Sequence, residues 1–520
     1  MTGTFALLRV VLRRDRLLMP LWIVCLAAAP MGYLSSIEAA YPDAASRQHF
    51  YDLNASSATF VVRNGPLYGS SVGNLLAWQC GFVPVVAGLI ALLTVVRHTR
   101  AEEEAGRREL TGATVVGRHA GLAAAVLAAC GACLLYGLVV GAGLAAEGAP
   151  VAGALALGLG FSLSGWVFAG AGAVAAQLTW GASGARGIGI GVLVLAFLLR
   201  AAGDSSGSAG WLSWLSPIGW AHRLRPFAGE RWWVLALGVV ATASLFGVAV
   251  LLSARRDLGA ALLPARPGRA TAKASLRSPW ALAWRLQRGT LVVWTVCLAL
   301  VGLLMGGVAQ NVAEMMRENQ AVADVLARMG GGGGVVDAYL AGTMTLFGLA
   351  AAGYAVQATL KLRAEEAAGR AEPVLATAAG RLGWGLGHLV FALAGSAFVL
   401  AVTGLATGLA YGSGASLVPA ALAQVPAVWV PAGLAAALIG FLPRFAAAAW
   451  GLLGAFLLLS LVGSALQWNE AVLGISPFAH LPRLPGGTFS LAPVLWLVLI
   501  AAAAGAFGLI ALRRRDIPVG

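Results

Sequence analysis

A charged segment of nineteen residues occurs twice in this chain, 263 positions apart. Residues 100–118 read RAEEEAGRRELTGATVVGR and residues 363–381 read RAEEAAGRAEPVLATAAGR, with twelve of the nineteen positions identical. Internal similarity at a fixed spacing constrains the architecture, because each copy folds as one structural unit. The sequence therefore predicts two copies of one unit, each of which presents the same charged segment.

The chain is hydrophobic enough to be a membrane protein. Its 520 residues are 59% hydrophobic, against about 45–50% in soluble domains. Apolar runs of roughly 20 residues recur, and each is long enough to cross a hydrocarbon core of about 30 Å. The sequence therefore predicts an all-α polytopic membrane protein with twelve transmembrane helices. The predicted spans are 17–37, 78–96, 119–146, 151–179, 187–202, 232–253, 289–310, 339–359, 384–411, 416–442, 445–464 and 490–512.

Basic residues predict the orientation of these spans. Cytoplasmic loops of membrane proteins are enriched in Lys and Arg, and arginines cluster in residues 9–16 and 513–515. Both termini are therefore predicted to be cytoplasmic. Because six crossings return the chain to the same side, the two repeats are predicted to be parallel. The predicted parts are a first six-helix half at 1–253, a cytoplasmic linker at 254–278 and a second six-helix half at 279–520.

The similarity between the halves also includes the segment before the first span of each. The aligned pairs are Arg13 and Arg285, Arg16 and Arg288, Trp22 and Trp294, and Cys25 and Cys297. Each set is a basic lead-in that continues directly into a helix. Two Ser-Pro segments, 216–220 and 476–480, also correspond between the last two spans of each half. An interfacial loop and a re-entrant cap both account for these segments.

The net charge of +14 does not indicate nucleic-acid binding. Most of the basic residues fall in predicted cytoplasmic segments, as the positive-inside bias requires, and no basic patch interleaved with aromatic residues is present. The expected location is the plasma membrane, with many crossings. Arginine far outnumbers lysine, and Ala and Gly are abundant, which indicates a bacterial source with a GC-rich genome.

No sequence motif makes this chain an enzyme. The phosphate-binding pattern Gly-x-x-x-x-Gly-Lys-Ser/Thr is absent, and the Cys-x-x-Cys spacing at residues 130–133 has no partner pair, so we expect no cofactor in this chain. The predicted spans hold almost no ionisable side chain, apart from His388 in the ninth. Ion-coupled carriers use such groups, which argues against a secondary transporter. We interpret His388 as a hydrogen-bonded histidine near a helix end.

The repeated charged segments are the polar feature that remains to be explained. On a continuous helix, Glu103 and Arg107 are four positions apart in the favourable order, and Glu366 and Arg370 repeat the pair. A solvated helix at the membrane surface explains the arginines, but it does not explain the acids that both copies keep. A helix that docks on a polar protein surface explains both and is the favoured interpretation.

The order of elements in each half resembles a known family. A basic lead-in, a helix pair, a charged hairpin, three more helices, a Ser-Pro segment and a last helix resemble the membrane subunit of ABC-2 type (type V) exporters. The fused twelve-span form, with Arg-Ala-Glu-Glu-x-Ala-Gly-Arg in both halves, looks like the actinobacterial "exporter of polyketide antibiotics" permeases. The resemblance implies a non-enzymatic permease subunit for export of lipophilic or amphipathic small molecules, including antibiotics and other drugs. It also implies two copies of a separate cytoplasmic ABC ATPase, which would bind ATP and Mg²⁺.

The resemblance also assigns roles to residues. It makes 97–118 and 361–383 the coupling helices that fit into the ATPase subunits, and it places spans two, five, eight and eleven around a central cavity. The implied coupling residues are Arg100, Glu102, Glu103, Gly106, Arg107, Glu109, Arg363, Glu365, Glu366, Gly369, Arg370 and Glu372. The cavity candidates are Trp78, Phe82, Phe197, Phe347, Tyr354 and Phe456. For each of these aromatic residues, plain packing is the competing interpretation.

Two other functions stay open at this point. An ABC exporter of a lipid or a lipid-linked glycan would share the same fold and the same ATPase. A membrane scaffold or sensor would use the charged segments to dock a cytoplasmic protein and would transport nothing. A partner ATPase distinguishes an exporter from a scaffold.

Overall fold

The computed structural model describes most of the chain, and every regular element in that part is a helix. The described residues are 2–55, 58–112, 114–205, 209–256, 261, 262, 271, 276, 278–318, 334–460 and 469–516. They divide into two compact units, Met1–Gly268 and Arg269–Gly520. Most of the predicted linker 254–278 lies outside the described residues.

The first unit contains thirteen α-helices among the residues described. They are α1 Thr4–Arg14, α2 Leu18–Ala40, α3 Ala44–Asn54, α4 Ala58–Asn64, α5 Val72–Gln79, α6 Val83–His98, α7 Arg100–Glu104, α8 Arg107–Gly112, α9 Ala120–Ala146, α10 Val151–Leu178, α11 Ala182–Ser205, α12 Pro217–Arg223 and α13 Trp233–Ala254. A short 3₁₀ helix, Gly210–Leu215, precedes α12.

The second unit contains nine α-helices in its described part. They are α14 Pro279–Glu318, α15 Gly334–Ala367, α16 Ala371–Leu375, α17 Arg381–Tyr411, α18 Val418–Leu422, α19 Val425–Phe441, α20 Ala448–Leu458, α21 Glu470–Leu473 and α22 Leu491–Arg514. Two 3₁₀ helices, Pro443–Phe445 and Pro477–His480, complete it.

The predicted all-α polytopic membrane fold is confirmed. Eleven helical segments of the described chain are long and apolar enough to cross a membrane, and two of them join consecutive helices, α6 with α7 and α18 with α19. They are Leu18–Ala40, Val83–Glu104, Ala120–Ala146, Val151–Leu178, Ala182–Ser205, Trp233–Ala254, Pro279–Gln310, Val336–Ala367, Arg381–Tyr411, Val418–Phe441 and Leu491–Arg514. The predicted orientation of the termini stays a prediction.

The eleventh and the second predicted spans differ most from the structure. Of the predicted eleventh span, 445–464, the structure describes the 11-residue helix α20, which is about 16 Å long at 1.5 Å per residue; residues 461–464 lie outside the described part. The predicted second span began at residue 78, but α6 begins at Val83 and Trp78 belongs to the separate helix α5. The apolar run continues across this break, so hydropathy alone joined the two helices.

Glycines allow the spans of each unit to pack closely. In the first unit α10 packs against α6, α9 and α13, and in the second α19 packs against α15 and α22. A Cβ on Gly137 of α9 would lie 2.4 Å from the carbonyl oxygen of Gly158 of α10, and a Cβ on Gly440 would lie 2.3 Å from that of Gly508. Small residues let membrane helices approach to backbone contact, which explains the glycine content of these spans.

The two Ser-Pro segments form short helices, each too short to cross a membrane. Ser216 caps α12, because its Oγ accepts a hydrogen bond from the backbone N–H of Gly219 at 3.4 Å. In the second unit, the Oγ of Ser476 lies 2.9 Å from the Oγ of Ser460, which ties the segment to the residues after α20.

Candidate functional site

Each charged segment folds into a helical hairpin with a glycine at its turn. In the first unit α7 ends at Glu104 and α8 begins at Arg107, and between them Gly106 has a φ of +69°. In the second unit α15 ends at Ala367 and α16 begins at Ala371, and Gly369 also has a φ of +69°. Glycine adopts this left-handed conformation without steric cost. The repeated glycine therefore sets the same sharp turn in both units.

One carboxylate of each hairpin binds an arginine across this turn. Arg107 donates from Nε to Glu102 Oε2 at 2.6 Å and from Nη2 to Glu102 Oε1 at 3.0 Å. In the second unit Arg370 donates to both oxygens of Glu365 at 2.8 and 3.0 Å. Such two-point pairs are strong and directional. The pair with Glu102 raises the pKa of Arg107.

These contacts correct the predicted charge pairs of the hairpins. A continuous helix would pair Glu103 with Arg107 and Glu366 with Arg370, four positions apart. The structure pairs residues that are five positions apart, because the glycine turn ends the first helix and brings the arginine back over the preceding acid. Both predicted pairings are therefore wrong, for the same reason in each unit.

The other carboxylate of each hairpin points inward and binds the end of the last helix of its unit. The Glu103 side chain is 5% exposed, and its two oxygens accept from Arg256 Nη1 at 2.8 Å and Nη2 at 2.9 Å. The Glu366 side chain is 0% exposed, and its Oε2 accepts from Arg515 Nη2 at 2.6 Å. Arg256 lies just after α13 and Arg515 just after α22.

The first arginine of each hairpin extends this network to a third helix. Arg100 Nη1 lies 2.9 Å from Glu103 Oε2, and Arg100 Nη2 donates to the carbonyl oxygen of Trp180, just before α11, at 2.6 Å. Arg363 likewise lies 3.3 Å from Glu366 and donates to the carbonyl oxygen of Pro443, before α20, at 3.2 Å.

The last arginine of each repeated segment closes the network. Arg118 Nη2 donates to the carbonyl oxygen of Arg256 at 2.6 Å, and Arg381 Nη1 donates to that of Arg515 at 2.8 Å. Arginines near a helix C-terminus satisfy carbonyls that the helix leaves unpaired. We call these residues the ionic clamp. It comprises Arg100, Glu103, Arg118 and Arg256 in the first unit, and Arg363, Glu366, Arg381 and Arg515 in the second.

The ionic clamp explains why both copies kept their acids. In each half it joins the end of the second span to the start of the fifth span and to the end of the sixth. The hairpin therefore cannot move unless these helix ends move with it. Sequence reasoning missed Arg256 and Arg515, which lie 153 and 149 positions from their partner acids. The available signal was that each follows the last apolar span of its half.

The outward face of each hairpin carries a different set of candidate residues. Arg107 and Glu109 are exposed in the first unit, and Arg370 and Glu372 are exposed in the second. The exposed fractions of the two arginine side chains are 50% and 59%. These residues, together with the glycine turns, can contact another protein, whereas the buried Glu103 and Glu366 cannot do so without breaking the clamp.

The lead-in helix of the first unit is also tied to its hairpin. Arg14 at the end of α1 donates to Glu102, and the next residue, Asp15, is buried. One oxygen of Asp15 lies 2.6 Å from Nε2 of His98, and the other lies 3.1 Å from Arg97. These contacts attach the junction of α1 and α2 to the end of α6.

The second unit makes a different buried polar contact at the equivalent lead-in. Gln287 aligns with Asp15, and its Nε2 donates to Nδ1 of His388 at 3.1 Å. His388 is buried, and this hydrogen bond confirms its interpretation as a satisfied histidine.

The predicted cavity aromatics have mixed environments within their units. Trp78 is buried, and its Nε1 donates to the carbonyl oxygen of Gly65 at 3.1 Å. Phe82 is 47% exposed and makes an edge contact with Phe197, with ring centroids 6.0 Å apart. The other three candidates, Phe347, Tyr354 and Phe456, are buried in the second unit, where packing explains them. A cavity-lining role stays a prediction, with Phe82 and Phe197 the better placed.

The expectation was that the spans hold almost no ionisable side chain, and the end of α11 holds two that sequence analysis did not name. Arg200 is fully buried there and donates to the carbonyl oxygens of Val61 and Val62 at 3.1 and 2.8 Å. Asp204, one turn further along, accepts from Ser213 Oγ. These partners are outside α11, so local sequence patterns do not reveal them. The contacts pin α4 and the 3₁₀ helix to the end of α11.

A histidine whose side chain is 9% exposed lies next to this cluster. His222 of α12 is hydrogen-bonded through Nε2 to the carbonyl oxygen of Gly81 at 3.0 Å, and burial lowers the pKa of His222 to about 3. Among the residues that the structure describes, no group of three or more His, Cys, Asp or Glu side chains is placed to hold a metal ion.

The fold and the hairpins define a class of protein: a polytopic helical membrane protein whose two units carry equivalent charged hairpins. Comparison with known proteins gives the family. Residues 276–513 match the family model of the multidrug efflux system permease Rv1217c, C-terminal domain. The chain is 44% identical over 526 aligned residues to the multidrug efflux system permease protein Rv1217c of Mycobacterium tuberculosis, covering 99% of this chain and 95% of that protein. The chain therefore belongs to the family of multidrug efflux system permeases.

Proposed function

We propose that this chain is the permease subunit of an exporter for lipophilic or amphipathic small molecules, and that a separate ATPase drives it. Its family membership supports drug efflux, and its apolar spans support a pathway for such cargo through the membrane. The observation that supports an ATPase partner is the pair of equivalent hairpins, in a sequence that has no phosphate-binding motif of its own. Two hairpins fit two copies of a cytoplasmic ABC ATPase, which would hold the ATP and Mg²⁺.

The exposed face of each hairpin is the proposed docking surface. It offers charges of both signs, with Arg107 and Glu109 in one unit and Arg370 and Glu372 in the other. Each arginine makes two hydrogen bonds to a glutamate of its own hairpin. Its guanidinium is therefore already fixed in position when a partner binds. Fixed polar groups give an interface its specificity more than its affinity.

The ionic clamp is the proposed route by which the hairpin moves the spans. When an ATPase pulls on the hairpin, Glu103 and Glu366 transmit the displacement to the ends of α13 and α22. The same acids, through Arg100 and Arg363, reach the segment before the fifth span. The clamp thus passes a displacement of the hairpin to three helix ends.

Co-purification of the chain from its native membrane tests the docking surface. We expect the wild-type chain to bring down a protein that contains Gly-x-x-x-x-Gly-Lys-Ser/Thr, and we expect the chain alone to hydrolyse no ATP. The double variant R107E/R370E should lose that protein and should lose drug efflux in a panel of lipophilic compounds. The control R483E reverses an exposed arginine on the predicted external side and should keep both.

Three results would contradict parts of this proposal. Efflux that persists with a hydrolysis-dead partner would remove the ATPase from the mechanism. Co-purification without efflux of any drug, but with transfer of a lipid or lipid-linked glycan, would make the chain an exporter of that cargo. Co-purification of a protein that hydrolyses no nucleotide, without any transport, would make the chain a docking scaffold.

A further inference from the structure

The first unit contains a pocket of about 330 Å³ at the end of α2, where the chain continues into α3, α4 and α5. The pocket lies at the end of the spans opposite the charged hairpin, because α5 precedes α6 and the hairpin follows it. Its volume is in the range of about 300–1,000 Å³ that small-molecule sites have. We call it the loop pocket. Its lining includes Tyr33, Tyr41, Phe50, Phe60, Trp78 and Gln79.

Four aromatic rings form one continuous side of the loop pocket. Ring centroids are 5.0 Å apart for Tyr41 and Phe50, and 5.7 Å apart for both Phe50 and Trp78 and Phe60 and Trp78. We call these four rings the aromatic wall. The two contacts with Trp78 are edge-to-face, an arrangement in which aromatic rings attract one another. Trp78 is buried, whereas the other three rings are partly exposed, so a further planar ring can pack against them.

The helices that carry the aromatic wall are fixed by contacts outside it. Arg47 of α3 donates to the carbonyl oxygens of Tyr41 and Pro42 at 2.9 and 3.0 Å, which holds α3 against the end of α2. Arg200 holds α4 through two of its carbonyl oxygens. A pocket that is already ordered before binding loses less entropy when a ligand enters.

The polar groups of the loop pocket favour an uncharged ligand. Gln79 is exposed and Tyr33 is 36% exposed, and neither side chain has a hydrogen-bond partner among the described residues. Arg63 also lines the pocket, but its Nε donates to Asn64 Oδ1 at 2.9 Å and its guanidinium lies over the ring of Phe60. This arginine repels a cation, and it is already engaged by other groups when an anion approaches. The polar groups that remain, an amide and a phenol, are neutral donors and acceptors.

The second half of the sequence does not repeat the loop pocket. At the spacing of 263 positions that relates the two charged segments, Trp78 and Gln79 correspond to Ala341 and Gly342. The packing of a six-helix unit therefore does not require an indole and an amide at these positions. A ligand explains why the first half has both.

We propose that the loop pocket binds one uncharged, planar aromatic molecule of the cargo class, with its rings against the aromatic wall and its polar groups hydrogen-bonded to Gln79 and Tyr33. That the ligand is cargo rests on the proposed function. Phe82, a candidate for the predicted central cavity, follows Gln79 by three positions. The predicted orientation places the loop pocket on the external side, so cargo reaches it after passing the spans.

Binding to the purified full-length chain in nanodiscs, without ATPase or nucleotide, tests the site separately from transport. The probe is prodan, an uncharged naphthyl ketone whose fluorescence reports the polarity of its surroundings, and empty nanodiscs give the background of partition into lipid. We expect saturable binding to the wild type. Affinity should fall about fivefold in Q79A, which loses one hydrogen bond. It should fall about tenfold or more in S36W, because Ser36 lines the pocket and an indole there displaces the probe from the rings of the aromatic wall.

The matched control is S35W in the same helix. Ser35 and Ser36 are both exposed, and both donate to the carbonyl oxygen of Gly32, but of these two residues Ser36 alone lines the pocket. The affinity of S35W should stay within about twofold of the wild type, as for an ordinary surface substitution. If S36W fails to fold by size exclusion, Q79A, whose altered side chain is exposed, decides the question.

Charged probes and efflux give the results that would overturn the proposal. Toluidinonaphthalene sulfonate and a naphthyl trimethylammonium should each bind at least about fivefold more weakly than prodan, because burying an unpaired charge is costly. The proposal is overturned if either binds as tightly, if S35W loses as much affinity as S36W, or if the wild type shows no saturable binding. The role in export is overturned if S36W loses binding but exports the same uncharged aromatic compound at the wild-type rate. Absence of efflux by the wild type, with binding intact, would instead contradict the proposed function.

Discussion

Replacing Glu103 by glutamine should destabilise the first unit by about 3–5 kcal/mol, the cost of removing one partner from a buried ion pair. The structure gives the reason. Glu103 is the acid that both Arg100 and Arg256 contact, at 2.8 to 2.9 Å, and both arginine side chains are nearly inaccessible to water. Glutamine keeps one acceptor oxygen, but it is neutral and places an amide N–H next to a guanidinium. The two buried arginines therefore lose their counter-charge.

A double-mutant cycle separates the interaction energy between Glu103 and Arg256 from the effects of their other contacts. The variants E103Q, R256Q and E103Q/R256Q should show a coupling energy of about 2 kcal/mol, within the range for residues in one ion-pair network. The measurement is the free energy of unfolding in mixed micelles, followed by tryptophan fluorescence. The second unit allows the same cycle with E366Q and R515Q.

The matched control for this cycle is E102Q, in the neighbouring position of the same helix. Glu102 pairs with Arg14 and Arg107, whose side chains are 42% and 50% exposed. Water screens these pairs, so the loss should be at most about 1 kcal/mol. The clamp would be refuted if E103Q costs no more than E102Q, or if the coupling energy between Glu103 and Arg256 is zero within error.

Three further predictions concern the backbone and pH. Replacing Gly106 or Gly369 by alanine forces a side chain into the left-handed region and should cost about 1–2 kcal/mol in unfolding free energy, whereas G131A, in open space within α9, should cost nothing. The variant G440V should destabilise the second unit by about 1–3 kcal/mol, seen as a lower unfolding midpoint, because its Cβ would lie 2.3 Å from a backbone oxygen of α22; an unchanged midpoint would contradict the close packing. The pKa of His222 is lowered to about 3 in the folded chain, against about 6.5 in the unfolded chain. Between these pH values the unfolded chain binds a proton at His222 and the folded chain does not. The free energy of unfolding should therefore fall as pH drops from about 6.5 towards 3. Replacing His222 by glutamine should remove that part of the pH dependence.

The apolar runs and the internal repeat were enough to predict the helical membrane fold and the position of both charged segments. Apolar runs report local hydrophobicity, and eleven of the predicted spans correspond to helices that can cross a membrane. The repeated glycines at 106 and 369 were visible as part of the repeat. Where a helix breaks within an apolar run, as between α5 and α6, hydropathy could not show the break because both sides are equally apolar.

The partners of the charges were decided by tertiary structure alone. Glu103 was expected to pair with a residue four positions away, but it pairs with Arg256, which the packing of α13 brings alongside α7. Arg200 is stabilised by carbonyl oxygens of a distant segment, so its burial cannot be read from α11. Sequence periodicity records which face of a helix is apolar. It does not record which helix end lies next to which, and for buried charges that neighbour determines both stability and role.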